Sequence, residues 1–339
     1  MIHRNQRSSV RPKKMRGAFD KAEKEVMFTR NPQCKETMSF VKVSLKSFNE
    51  SGGNLIEFLA PHVERSIAVI KTFMVTFIAE TADGTEQPIG SGTFVKTCGF
   101  EGVLTAYHVA RDLFRLPNFC LLVSETPHRL EVTPEVFGHV PVGVFPDGAL
   151  PEDGPDLSFL VCRNPSFLKK LKELKDFFPL DAVKAPSQHP ILKPQLWGVA
   201  GTESESCKIV DQDYMGEPLT KMTNFVGTGF LESETVRKGE FDYIRLTVPS
   251  GQFKFPYRYR GVSGGGFWLL PMEADKSGDM NTVGHTIGHR LPILAGVEFS
   301  ELERDVQKRE RILVGHGVDS IYKNLIQTLK ENPGAAVAS

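Results

Sequence analysis

Apolar residues in this chain fall into many short runs separated by glycine, proline and polar turn residues, and long helical spacings are scarce. Such a pattern predicts strands. Ile67-Ala68-Val69-Ile70 and Thr72-Phe73-Met74-Val75-Thr76-Phe77-Ile78 read as strands because they are rich in β-branched and aromatic residues, and Ala82-Asp83-Gly84-Thr85 then supplies a turn. Gly92-Thr93-Phe94-Val95 and Gly102-Val103-Leu104-Thr105 predict a hairpin around Cys98-Gly99-Phe100. Further strands are expected over residues 119–123, 157–161, 195–199, 224–230, 243–248, 266–270, 293–299 and 312–315. Helix is expected over residues 108–114, over 166–177 with Phe167, Leu168, Leu171 and Leu174 at helical spacing, and over 319–331. In the last of these Ile321, Leu325 and Leu329 share a face, Asp319 or Ser320 would cap the start, and Asn332-Pro333-Gly334 would end it. The fold class that follows is all-β, a barrel or a sandwich.

Length and charge narrow this reading. The chain has 339 residues, enough for one large domain or two moderate ones. Its 41 basic and 41 acidic side chains cancel, so the molecule as a whole is not an electrostatic binder of nucleic acid or of a membrane surface. Five scattered cysteines without a CxxC pair argue against a disulfide framework and fit a reducing compartment. No apolar stretch reaches the roughly 18 residues of a membrane span, and no apolar secretory core opens the chain. The expected address is cytoplasmic. The start of the chain differs from the rest, with Arg4, Arg7, Arg11, Lys13, Lys14, Arg16, Lys21 and Lys24 against only Asp20 and Glu23. This basic extension, residues 1–58, reads as a solvated tail, an organellar presequence or an arm for nucleic acid or a regulatory protein partner. The compact domain is expected over residues 59–335.

Three polar residues stand where catalysis would use them. His108 ends the apolar run Leu104-Thr105-Ala106-Tyr107, and an imidazole at a strand end can exchange protons while its second nitrogen is held by a buried acceptor. Asp156 opens the apolar run Leu157-Ser158-Phe159-Leu160, an odd place for a solvated carboxylate. Ser263 stands in Arg260-Gly261-Val262-Ser263-Gly264-Gly265-Gly266, where glycines let backbone N–H groups converge on a developing oxyanion. Each has a plainer reading: a structural histidine, a turn aspartate after Gly154-Pro155, and an ordinary glycine-rich loop.

Taken together, the order His108, Asp156, Ser263 resembles that of the chymotrypsin-like serine peptidases. Gly90-Ser91-Gly92-Thr93-Phe94-Val95 followed by Val103-Leu104-Thr105-Ala106-Tyr107-His108-Val109 looks like that family's "GSGF…ILTAAHV" block. Asp156-Leu157-Ser158-Phe159-Leu160 resembles its "DLAVL", Gly261-Val262-Ser263-Gly264-Gly265 its "GxSGG", and Leu294-Ala295-Gly296-Val297 the strand that follows. The resemblance covers about residues 65–330. It implies two six-stranded antiparallel β-barrels, over about 65–165 and 190–318, with a short C-terminal helix at 319–331. It also implies a serine endopeptidase acting on a protein or peptide substrate without metal or cofactor. Ser263 would be the nucleophile, His108 the general base, Asp156 its orienting partner, and the N–H groups of Gly261 and Ser263 the oxyanion hole. Two departures are visible. Gly266 stands where proline is usual, and Val262 where secreted, zymogen-activated members carry an acid, which points to the intracellular, bacterial-type branch.

By the same resemblance Tyr257 falls near the base of the pocket for the P1 side chain, and Glu298 would face that pocket and favour Lys or Arg. Tyr257 packing its own loop and Glu298 on a strand edge are equally open. His316 would favour an acidic P1 residue or serve the core. His285 and His289 have i, i+4 spacing without a companion ligand, so a metal site is not expected. Residues 272–290 read as a surface loop, and Phe253, Phe255, Tyr257 and Tyr259 alternating with basic residues as the wall of a cleft rather than a nucleic-acid platform. A protease-like scaffold in a signalling or defence complex is the competing function.

Overall fold

Pairing of neighbouring apolar runs builds two large antiparallel sheets in the computed structural model. The described residues are 41–44, 55–80, 86–123, 129–143, 155–183, 196–203, 208–212, 218–221, 224–251, 256–270, 272–274, 286–289, 292–305, 307 and 309–333. Strand β1 (Val41–Ser44) and a helix, Leu55–Phe73, precede the first large sheet. That sheet comprises β2 (Met74–Glu80), β3 (Glu86–Thr97), β4 (Phe100–Thr105), β5 (Phe119–Leu122), β6 (Arg129–Val132), β7 (Phe137–Gly143), β8 (Leu157–Cys162) and β9 (Phe178–Pro179). Then come β10 (Leu196–Thr202), β11 (Lys208–Gln212), β12 (Pro218–Lys221), β13 (Asn224–Phe230), β14 (Glu232–Lys238), β15 (Phe241–Pro249) and β16 (Gly266–Leu270). The chain continues with β17 (Met272–Ala274), β18 (Thr286–His289), β19 (Ile293–Asp305), β20 (Glu310–His316) and a C-terminal helical segment.

The first sheet runs β6-β5-β2-β3-β4-β8-β7, with β9 added in parallel to β3; the second runs β13-β10-β16-β19-β20-β15-β14. Both are open paths, so among the described residues the expected six-stranded barrels are not closed. Mostly antiparallel β structure and a short C-terminal helix do form. The additional strands have weak sequence signals. Strand β14, Glu-Ser-Glu-Thr-Val-Arg-Lys, is almost wholly exposed, and its charged residues suit a sheet edge that must not recruit another chain.

Three local readings are corrected. Ile67-Ala68-Val69-Ile70 belongs to the helix Leu55–Phe73 rather than to a strand. Ser66 and Ile70 are fully buried and Val63 and Phe73 partly so, a spacing of three to four residues that outweighs the β-branched preference of single positions. Residues 272–290 are not simply a loop, because β17 and β18 pair there and β1 joins them in a three-stranded sheet. The C-terminal helix is capped neither by Asp319 nor by Ser320. The Asp242 carboxylate on β15 instead accepts from the N–H groups of Asp319 (3.0 Å) and Ser320 (2.7 Å), while a π-helical first turn, Ser320–Leu325, leads into Ile326–Glu331. The hairpin between β3 and β4 turns on Cys98 and Gly99, both at positive φ (52° and 81°), as a two-residue turn of matching twist requires.

One apolar cluster joins the two sheets and both terminal helices. Trp268 on β16, fully buried, stacks on Phe73 at 5.8 Å and meets Phe178 edge-on at 5.3 Å, with Ile70, Leu104, Leu294, Ile321 and Leu325 in the same cluster. The helix Leu55–Phe73 is thus part of the core. Ile70→Ala should cost about 2–5 kcal/mol in urea unfolding; a loss near zero would show that this helix docks without contributing.

Candidate active site

Strands β4 and β8 are antiparallel neighbours, with Thr105 opposite Ser158. Antiparallel pairing sets the end of one strand beside the start of the other, so the residues just after β4 meet those just before β8. Thr105 ends the strand, Ala106 stands at the N-cap of the helix Tyr107–Leu113, and His108 in its first turn faces Asp156. Asp156 accepts twice from that one residue: Oδ2 from His108 Nδ1 at 2.6 Å, and Oδ1 from the His108 backbone N–H at 2.8 Å. The carboxylate is fully buried, while the imidazole is 23% exposed. An Nδ1–H donated to Asp156 leaves Nε2 as the basic nitrogen.

His316 closes the other side of the aspartate. Its Nε2 accepts from the Asp156 N–H at 2.7 Å, so the ring is neutral there. It is fully buried among Phe299, Tyr243 and Phe241, whose ring centroids lie at 5.0, 5.1 and 5.5 Å. Burial depresses its pKa from 6.5 to about 3. The structure therefore brings His316 together with Asp156, not with a surface where a substrate carboxylate could lie.

Ser263 is carried by the turn entering β16. Gly261 and Gly264 both have positive φ (88° and 86°), and a Cβ on Gly264 would come within 2.1 Å of Ser91 O and Thr105 Oγ1. Buried Tyr259 anchors the approach: its hydroxyl donates to Pro249 O at 2.8 Å and its N–H to Glu301 at 3.0 Å. Among the described residues the Gly261 and Ser263 N–H groups have no backbone acceptor, and both residues are half-buried. The turn meets the His108 segment over Gly90, where a Cβ would lie 2.7 Å from Val109 and 2.9 Å from Ser263 O.

Glu298 on β19 adjoins the serine. Its C=O accepts from Gly264 N–H (2.7 Å) and its N–H donates to Gly265 O (2.9 Å). Its side chain is 1% exposed, and Oε2 has no hydrogen-bond partner. Burial first, then the charges of Glu301 and Asp156, push its pKa well above the ordinary carboxylate range, against a hydrogen bond from the Ser263 side chain. Tyr257 is 61% exposed and its ring lies over Gly251. Phe253, Phe255 and His285 lie outside the described residues, and His289 ends β18 between Met272 of β17 and Val41 of β1. Among the described residues no three His, Cys, Asp or Glu side chains cluster as metal ligands.

The two departures at the serine have packing reasons. A Cβ on Gly266 would lie 2.4 Å from Trp268 Nε1, so the indole that joins the sheets excludes proline here. Val262 is fully buried against Gly201, whose added Cβ would come within 2.8 Å of it. Ser91, between Gly90 and Gly92, carries no sequence signal of a role at the site, yet its hydroxyl donates to Gly261 O at 2.6 Å.

The depressed His316 pKa fixes the sign of a pH effect. The unfolded chain takes up a proton near pH 6.5 that the folded protein refuses until about pH 3, so stability is full above 6.5 and is lost as pH falls through that window. Urea unfolding across this range should show a steeper acid loss for wild type than for His316→Gln. Equal slopes would mean that the ring is solvated.

No family model and no curated protein matches the chain. A solved structure from work on how aromatic interactions drive the coupled folding and binding of the intrinsically disordered Sesbania mosaic virus VPg protein is similar to it at 15% identity. The match covers 76% of this chain and 91% of that one at a TM-score of 0.38. No helix among the described residues is long and apolar enough to cross a membrane.

Proposed function

We propose that the chain is a serine endopeptidase of chymotrypsin-like type, with its two sheets corresponding to that family's two β-barrels. The observation that carries the reading is the double acceptance by buried Asp156, which orients His108 with Nε2 available as base. The Ser263 hydroxyl loses its proton to His108 Nε2 and attacks the substrate carbonyl. The C–N bond of the tetrahedral adduct breaks as His108 returns the proton to the leaving amine. Water then hydrolyses the acyl-enzyme with His108 again as base. The Gly261 and Ser263 N–H groups stabilise the oxyanion, each worth about 3–4 kcal/mol of barrier.

The test is active-site labelling with a fluorophosphonate. Wild type should be modified at Ser263, Ser263→Ala not at all, and Asp156→Asn should lower kcat by about ten-thousand-fold. An unlabelled wild type would leave the binding-scaffold function instead, and modification at another serine would move the site.

Glu298 supplies a selectivity argument on the same reading. A Lys or Arg side chain at P1 would pair with its carboxylate, but burial favours the protonated form, so the pair strengthens as pH rises. Hydrolysis of Lys and Arg esters should therefore gain on that of Leu esters with increasing pH. Glu298→Gln should abolish this trend, and a pH-independent ratio would remove Glu298 from P1 recognition.

A further inference from the structure

We propose that Ser91 is a positioning residue that sets the peptide planes of the nucleophile turn from the opposite sheet. Ser91 lies in the middle of β3, opposite Thr76 on β2, and is 1% exposed. Four hydrogen bonds converge on it. Its N–H donates to Ser263 O (2.7 Å), and its hydroxyl donates to Gly261 O (2.6 Å) while accepting from Thr202 N–H (2.9 Å). Its own carbonyl accepts from Thr105 Oγ1 (2.7 Å), three residues before His108.

The geometry gives this set a task beyond cohesion. A peptide plane ties each carbonyl to the N–H of the following residue. Ser91 holds the carbonyls of Gly261 and Ser263, and the Gly265 N–H holds that of Val262 at 2.6 Å. Three successive planes are thus fixed, and the middle one carries the Ser263 N–H that points at the oxyanion. Gly261 and Gly264 let the chain adopt this shape and by themselves would also let it leave, because glycine has a broad choice of dihedrals. A buried hydroxyl both donating and accepting removes that choice. Through Thr105 the same residue ties the turn to the strand that delivers His108. Ser91 acts through the turn and touches no reacting atom.

This role rests on the peptidase reading, and the experiment separates the two. Fluorophosphonate labelling rates and p-nitrophenyl ester kinetics would be compared for wild type, Ser91→Ala, Ser91→Thr and Thr105→Val, with thermal melting measured in parallel. Ser91→Ala should lower the labelling rate and kcat about 10- to 100-fold with KM unchanged, the size expected for a misplaced reacting group. Ser91→Thr, which keeps the hydroxyl, should restore most of the rate. A merely structural serine would lower the melting temperature and leave the folded fraction fully reactive. Thr105→Val is nearly isosteric and removes only the donor to the Ser91 carbonyl; it should also label more slowly, and it decides the matter if Ser91→Ala does not fold. The role is overturned if wild type labels and the folded Ser91→Ala and Thr105→Val proteins label equally fast, or if the Ala and Thr variants at 91 are equally slow. A wild type that never labels removes the peptidase reading and this role with it.

Discussion

Burial of the Asp156 carboxylate is the constraint around which this end of the molecule is arranged. A charge withdrawn from water costs several kcal/mol unless hydrogen bonds replace its hydration. Both donors come from one residue, His108, through its ring and its backbone. That requirement fixes where the chain must turn after β4, and hence where the helix Tyr107–Leu113 starts. The backbone of Asp156 is held in turn by His316, a residue of the second sheet. One buried group thereby links the two sheets and orients an imidazole that keeps one edge toward solvent.

The serine turn obeys a different logic. Its shape comes from close approach, since Gly264 leaves no room for a side chain beneath Ser91 and Thr105, and Gly266 none beside Trp268. Polar atoms then lock what the glycines permit. Ser91 spans from the first sheet to Gly261 and Ser263, and Glu298 pairs with Gly264 and Gly265 along β19. The result is a rigid loop bearing a hydroxyl beside a buried acid.

Much of this was legible in the sequence. The runs 224–230 and 266–270 form strands with those bounds, and others such as 157–161 and 243–248 lie inside somewhat longer ones, because apolar content and β-branching there agree with pairing. The helix Leu55–Phe73 was not legible, because residues 67–70 are good strand formers and only burial at Ser66, Ile70 and Phe73 reveals the helical period. The edge strand β14 was missed because its exposed charges carry no apolar alternation. The cap of the last helix lies 77 residues away in sequence, at Asp242, where no local rule looks.

The same division holds at the site. By itself the sequence determined that His108 ends one apolar run, that Asp156 opens another, and that Ser263 sits among glycines. These are local facts of residue type and period, which covalent order preserves. Tertiary structure decided the tasks of the neighbours. His316 and Glu298 lie on adjacent strands, in similar apolar text, yet one is a neutral acceptor behind Asp156 and the other a buried acid on the strand that pairs with the Ser263 turn. Ser91, within a glycine-flanked strand, became the crossing point between sheets. Those outcomes depend on which strands pair and which faces meet across the interface, and hydrogen bonds between residues 160 or 170 positions apart leave no periodic mark on the chain.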